Sequence, residues 1–389
     1  MAKTVVTVPY SFGNAISAAR LFTNGLDYPF GNIWVAIKEG KAWAIGMDAE
    51  AIMMASVSAQ VKGENNTQLL LDANLLAEAW RSFPRSNNID FTLEPEKQKA
   101  EFTPLGTRFR MNGEAGEHTF VAPDYVKALI KAEKTIVEVA ELRRLIRTTV
   151  DVAGGMLNTV LLKTEEGRLQ AVASDGYRLA IATCDAKTSE VWSFLSPPSA
   201  MKKMLKLLGK EGNVSLAADN GHLLIQAEDF ILVVNSIAIQ YPDYQSIIPQ
   251  THNIRLTVLS DEIKQTLKQV AVVARRGNSL VRMDVLPGRL AFTAHSENGQ
   301  VQATALGPHI EGNVNDLAVG FNVGYMQDAI SFVDAPSVVI SITSPQAPLL
   351  VQGVGDEDFL YVLMPMHLED VPEDAVAEVE VKAEEPSTV

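Results

Sequence analysis

The feature that most constrains this chain is that it repeats itself. A short alternating segment running into an amphipathic helix occurs at residues 4–21, again at 135–150, and a third time at 254–273. Each is followed by an apolar strand, a tight turn and a second strand. The turns read Glu39-Gly40-Lys41-Ala42, Glu166-Gly167-Arg168-Leu169 and Pro287-Gly288-Arg289-Leu290, and glycine supplies the positive φ that such hairpins require. A second helix then follows at 72–83, 196–208 and 323–333, the middle one opened by Ser196-Pro197-Pro198, read as an N-cap serine with proline just inside. More short strands close each unit, as at 213–218, 222–227 and 230–237. Recurring landmarks in one order predict an α+β chain of three similar domains, each with two helices packed on antiparallel sheets. The boundaries are drawn at 1–132, 133–252 and 253–368.

Residues 369–389 are different. They hold eight acidic residues against Lys382 and no aromatic residue, a composition expected to stay disordered. The whole chain carries a net charge of −14. Half of it sits in this tail, so the folded part is less acidic than the total suggests. Cys184 is the only cysteine, which excludes an internal disulfide and favours a reducing, cytoplasmic setting. No apolar run reaches the length of a membrane span, and the first ten residues alternate rather than form an export signal.

Positive charge is gathered on the repeated helices. Arg143, Arg144 and Arg147 lie opposite Leu142, Leu145 and Ile146, and Lys202, Lys203, Lys206 and Lys210 flank Met201, Met204, Leu205 and Leu208. Lys264 and Lys268 are one turn apart, with Arg275 further along the same stripe, whereas the first unit offers only Arg20, Arg81 and Arg85. Any one stripe reads as the solvated face of a surface helix. Equivalent stripes on repeated helices would make one basic surface, able to hold phosphates without reading bases.

Signatures of catalysis are missing: there is no phosphate-binding glycine loop, nucleophile elbow or zinc-protease motif. The six histidines show no ligand spacing. Asp356-Glu357-Asp358 could hold a hard cation, but it follows Gly353-Val354-Gly355 and reads better as a charged loop. Cys184 has no activating neighbour in the sequence and is expected to be inert.

Several blocks are more specific: 173–180 (ASDGYRLA), 241–244 (YPDY) with Ile247-Ile248-Pro249, Phe321-Asn322-Val323 with Tyr325, and 361–368 (YVLMPMHL). In this order and spacing they resemble the bacterial β sliding clamp family, the DNA polymerase III beta subunits, over residues 1–368, strongly in the second and third units and faintly in the first. The resemblance implies three domains of one fold, two chains joined head to tail, and a ring with helices inside and sheets outside. It implies a non-catalytic processivity factor that encircles double-stranded DNA without sequence preference and needs no cofactor or metal. Implied partners are the replicative polymerase, the clamp loader and repair proteins, which insert a short peptide into an apolar cleft between domains two and three.

Carried over by position, that cleft comprises Leu157, Ser174, Gly176, Tyr177, Arg178, Leu179, Pro242, Ile247, Asn322, Tyr325, Val362, Met364, Pro365 and Met366. The DNA channel would be lined by Arg143, Arg147, Lys202, Lys206, Lys264, Lys268 and Arg275. Methionine and aliphatic side chains suit an adaptable peptide pocket, and Tyr325 offers both a ring face and a hydroxyl. The chain departs from the family pattern at Tyr177, Ser246 and Asn278, and at Gln346 and Pro348, which would lie on the cleft's outer strand. These departures bear on peptide preference. The acidic tail is an extension expected to modulate access to the cleft. Two other readings remain: an interaction scaffold that forms no ring, and a metal-dependent nuclease using Asp356, Glu357 and Asp358.

Overall fold

The computed structural model describes residues 4–23, 31–85, 88–115, 119–219, 221–314 and 317–368. The acidic tail, 369–389, lies outside them. Helices α1 (Phe12–Arg20), α2 (Ala73–Ser82), α3 (Asp124–Lys131), α4 (Val139–Thr149), α5 (Pro198–Leu207), α6 (Ser260–Ala274) and α7 (Val323–Phe332) accompany antiparallel sheets. The chain divides into two compact units, one of residues 1–173 with 182–241, the other of 174–181 with 242 onward.

The repeat is written in the strand order. In the first unit Asn66–Asp72, Asn32–Lys38, Lys41–Met47 and Ala51–Ser58 lie side by side. Ser193–Ser196, Val160–Glu165, Arg168–Ser174 and Arg178–Asp185 follow one another in the same pattern, as do Ala318–Asn322, Leu280–Leu286, Arg289–Ser296 and Gly299–Leu306 in the second unit. At the head of each set is the expected two-residue turn, closed by the pairs Lys38 and Lys41, Glu165 and Arg168, and Leu286 and Arg289. Two of these turns place both central residues at positive φ, Glu39 (53°) with Gly40 (72°) and Glu166 (50°) with Gly167 (77°), the geometry that matches strand twist. In the third, Pro287 cannot adopt positive φ, and Gly288 (74°) alone does so.

Helix starts use different devices. Asp72 caps α2 by accepting from the Leu75 amide at 2.6 Å, and Asn322 caps α7 by accepting from Gly324 and Tyr325. Ser196 does not cap α5. It ends the strand Ser193–Ser196, and the helix starts at Pro198 behind Pro197, where the missing amide hydrogens cost nothing.

The first unit is organised by one eight-stranded sheet. Its first half is Thr135–Glu138, Asn213–Ala218, His222–Gln226 and Phe230–Asn235; its second half is the set from Ala51–Ser58 to Asn66–Asp72. The halves join where Phe230–Asn235 pairs with Ala51–Ser58 in the register Phe230 to Ala55 through Val234 to Ala51. On one face Ile52, Met54, Trp34, Ile45 and Leu70 meet Ala217, Leu224 and Val233, and the cluster is covered by Val126 and Leu129 of α3.

Among the described residues helix α3 has no counterpart in the other repeats, and two apolar anchors in an eight-residue helix are a weak pattern in sequence. Its position is set by several contacts. Phe120 exchanges two hydrogen bonds between its backbone and the Gln68 side chain, and its ring lies 5.7 Å from Trp34. Tyr125 stacks flat on His222 at 3.8 Å. Lys134 closes the helix by donating to the carbonyls of Leu129, Ile130 and Ala132, and burial pulls its ammonium below the usual lysine range. Segment 119–134 is thus a strap across both halves of the sheet.

In the second unit, α6 and α7 pack on each other, and α6 covers the sheet that contains Arg289–Ser296 and Gly299–Leu306. A further sheet runs Phe359–Leu363, Leu349–Gly353, Ser337–Ile342, Ile254–Leu259 and His309–Glu311.

Leu129 is 3 % exposed, so Leu129→Ala should cost about 2–4 kcal/mol through lost burial and an unfilled cavity. Chemical denaturation of the full chain measures this, and amide exchange should rise in both halves of the eight-stranded sheet.

Candidate functional site

The block at 173–180 folds as a tight loop that leads into a strand, and its own short polar side chains hold it. Asp175 Oδ1 accepts from the amides of Tyr177 and Arg178 at 2.9 and 3.1 Å, a local turn to which aspartate is suited. The Ser174 hydroxyl donates to the Arg178 carbonyl and accepts from the Gly176 amide. Gly176 sits at φ 92°, which a side chain would strain. The result pushes Tyr177 outward, where it is 66 % exposed.

Arg178 is the hub. Its Nε donates to Asp175 Oδ2 at 2.8 Å, and a terminal nitrogen donates to Asp328 Oδ2 at 2.5 Å and to the Tyr361 hydroxyl at 3.3 Å. The guanidinium also lies over the Tyr325 ring, 4.3 Å from its centre, a cation–π contact. Burial works against the charged form, yet Tyr361, Asp175 and Asp328 outweigh it and hold the guanidinium above its ordinary range. Burial first, and then the nearby carboxylates, push the Tyr361 phenol upward, so it stays neutral. Tyr325 moves the same way for the same leading reason. One cation therefore ties the loop, α7 and the strand Phe359–Leu363 together.

Met364 extends the network, because its amide donates to the Tyr177 carbonyl at 2.9 Å. Its side chain is 39 % exposed, which sets an accessible methionine beside the exposed Tyr177, while Tyr325 is partly buried over the Arg178 guanidinium. Two residues on, the Met366 amide donates to the Gly320 carbonyl, and a Cβ at Gly320 would stand 2.5 Å from the Met366 carbonyl oxygen. That approach fixes the path of Pro365 and Met366.

Other residues expected in the cleft have different duties. Leu179 and Val362 are fully buried and pack the interior beneath the surface. Asn322 uses its side chain as the α7 cap. Pro242 and Ile247 are exposed in the same unit, next to and within the short 3-10 turn Gln245–Ile247, while Leu157 belongs to the first unit. Gln346 and Pro348 lie in the turn between Ser337–Ile342 and Leu349–Gly353 rather than on a strand. Asp175 and Tyr361 belong to the blocks 173–180 and 361–368 but not to the cleft as carried over by position, and Asp328 belongs to neither. Asp328 stands three residues after Tyr325 on one helix face, a spacing that could have indicated it.

The basic residues also separate. Arg143 is partly buried: one terminal nitrogen donates to the carbonyls of Leu205 and Leu208 at 2.9 and 2.7 Å and closes the end of α5. Lys202 pairs with Asp151 at 2.7 Å on the surface, and Arg275 bonds Gln327 at 2.7 Å. Arg147, Lys206, Lys264 and Lys268 are exposed, and none of them is bonded to another described residue. Asp356 lies in the turn before Phe359–Leu363 and accepts from the Asp358 amide. Among the described residues, no three histidine, cysteine or carboxylate groups are arranged to hold a metal. Cys184 is buried, and this pushes its thiol up to about 12, far from a reactive thiolate.

Comparison with known sequences decides the family. The family model described as the DNA polymerase III beta subunit central domain matches residues 130–243, and that of the C-terminal domain matches 245–367. The chain belongs to the DNA polymerase III beta subunit family. Among relatives, the Beta sliding clamp of Proteus mirabilis is 25% identical over 349 residues, covering 87% of this chain and 92% of the relative. That of Synechococcus elongatus is 26% identical over 327 residues, covering 81% and 85%. Solved structures agree on the fold. The DNA polymerase III subunit beta of Pseudomonas aeruginosa superposes with a TM-score of 0.85 at 19% identity, and the DNA polymerase sliding clamp of Bacillus subtilis does so with the same score and identity. Each covers 94% of this chain and 100% of the other.

Within this family fold, removing the hub should be costly. Arg178→Met strands Asp175 and Asp328 and should destabilise the second unit by about 3 kcal/mol, measured by denaturant unfolding. Exchange of the Met364 amide should accelerate. Asp328→Asn should do less, since that carboxylate is half exposed.

Proposed function

We infer that this chain is a DNA sliding clamp, a non-catalytic processivity factor that holds the replicative polymerase on duplex DNA. The observation that carries this reading is the surface built by the Arg178 network, on which Tyr177, Tyr325 and Met364 are held by buried charge within a family of clamp subunits. Such a surface suits an apolar peptide: two aromatic rings and a methionine provide area, and the backbone beneath them is fixed before binding. Peptides from polymerase, clamp loader and repair proteins would share it. Tyr325→Ala with Met364→Ala should weaken a polymerase-derived peptide by at least about tenfold in fluorescence polarisation, as loss of central anchors does.

Domains at 1–132, 133–252 and 253–368, two chains closed head to tail and a cytoplasmic setting complete the proposal. Closure of a heterologous contact makes a ring, and a ring retains DNA by topology. Exposed Arg147, Lys206, Lys264 and Lys268 then need only weak, sequence-independent phosphate contact. The acidic tail, 369–389, would modulate client access through its charge. Among the described residues no helix is long and apolar enough to cross a membrane.

The deciding experiment loads the protein onto nicked circular DNA with a cognate clamp loader and ATP, then linearises the circle in high salt. A clamp stays on circles and leaves linear DNA; equal loss from both overturns the reading. Lys264→Glu with Lys268→Glu should lower loading while leaving peptide affinity unchanged.

A further inference from the structure

The sulfur atoms of this chain divide sharply by access. Among the described methionines seven are buried, Met53, Met201, Met283 and Met326 among them, and Met47 and Met366 are partly buried. Met364 and Met156 are the two exposed ones, at 39 % and 97 %. The one cysteine offers an oxidant no alternative target. Cys184 is buried and its thiol is pushed up to about 12, so it presents almost no thiolate. Among the described residues, an oxidant in solution therefore meets two open thioethers.

Their settings differ. Met156 stands in a tight turn of the first unit, closed by the Leu157 amide donating to the Gly154 carbonyl at 3.1 Å, with Gly155 at φ 58°. Its side chain is almost wholly in water. Met364 is pinned in place: its amide donates to the Tyr177 carbonyl at 2.9 Å, and the following Pro365 narrows its backbone freedom. The groups that hold it there are backbone amides, a guanidinium, two carboxylates and a phenol, which peroxide leaves alone. Oxidation at Met364 thus alters the surface and spares the frame beneath it. The backbone donors around it are also in use. The Met366 amide goes to the Gly320 carbonyl, those of Tyr177 and Arg178 go to Asp175, and that of Gly176 goes to Ser174, while Pro365 has none. An oxygen added to the Met364 sulfur finds no free backbone partner among these residues and takes its hydrogen bonds from water.

We propose that Met364 is a site of reversible oxidation by hydrogen peroxide, and that its sulfoxide releases client peptides from the surface it shares with Tyr177. The inference rests on the reading of that surface as the peptide site. In the forward step the sulfur lone pair attacks one peroxide oxygen. An S–O bond forms, the O–O bond breaks and, after proton transfer, water leaves, so the sulfur is oxidised by two electrons and the peroxide is reduced. A methionine sulfoxide reductase reverses it: two thiols become one disulfide and the oxygen departs as water. The thioether is flexible, polarisable and apolar, which suits contact with an apolar peptide side chain. Its sulfoxide is polar and hydrated, and covering it with an apolar side chain costs the hydrogen bonds it made to water.

The test treats the full chain with hydrogen peroxide and follows each methionine by peptide mass mapping. Fluorescence polarisation with a labelled peptide from the host's replicative polymerase is read before treatment, after it, and after incubation with methionine sulfoxide reductases A and B and dithiothreitol. Met364 and Met156 should gain one oxygen before any buried methionine does. Peptide affinity should fall by at least roughly tenfold in step with Met364 oxidation and return with the reductases, while the denaturant unfolding midpoint stays unchanged. Met364→Leu, compared with itself before and after peroxide, should keep its starting affinity, whatever that is, and Met156→Leu should lose affinity as the parent chain does. Full oxidation of Met364 without loss of affinity overturns the proposal, as does equal loss in Met364→Leu, protection by Met156→Leu, a midpoint that falls together with affinity, or failure of the reductases to restore binding. A chain that binds no peptide before any oxidant is added overturns the peptide-site reading and the release step with it, a failure told apart because it precedes treatment.

Discussion

The first unit depends on one strand pairing. Between Phe230–Asn235 and Ala51–Ser58 the ladder joins segments from two repeats, and hydrogen bonds beyond its ends lengthen it. The Ser56 amide donates to the Asp229 carbonyl, the Asn235 amide to that of Glu50, and the Asn235 side chain to that of Ala49. Without this pairing each half would end in an exposed edge, a liability in any sheet. Lys203 of α5 reinforces it from the helix side through its ion pair with the buried Asp48 at 2.5 Å. A buried ion pair adds little net stability, but breaking one is costly, so it specifies how α5 is seated.

The second unit has a comparable centre of different chemistry. Arg178 gathers two carboxylates, a phenol and an aromatic face around one guanidinium. Each contact uses a different property of that group: charge, directed donors and a flat surface. Lysine would retain only the charge. The backbone loop before Arg178 is itself shaped by Asp175, so one carboxylate serves both the turn and the cation. The exposed apolar groups at this surface therefore rest on a polar frame rather than on an oily one.

Much of this was legible in the sequence. Hairpin turns and paired helices were visible because glycine position and apolar period are local signals that a strand or helix must obey. The block at 173–180 was visible because its residues are specific to a family. What the sequence did not show was where long side chains end. Periodicity put Arg143 on the charged side of α4, but it cannot tell a solvated arginine from one that reaches the carbonyls closing a neighbouring helix. Asn322 and Leu179 match family positions, yet one serves the backbone and the other the core. Helix α3 is not legible in the sequence because its anchors, Val126 and Leu129, acquire meaning only against a sheet assembled from residues far away in the chain.

Strap 119–134 changes how the first unit can come apart. A sheet held at a single ladder could open there as two independently stable halves, giving unfolding in stages. Because Gln68 and Trp34 grip one end of the strap while His222 and Leu224 lie under the other, separating the halves first requires peeling off a helix and exposing its apolar cover on both sides. Opening the joint thus exposes apolar surface from each half, so the strap couples the two repeats energetically.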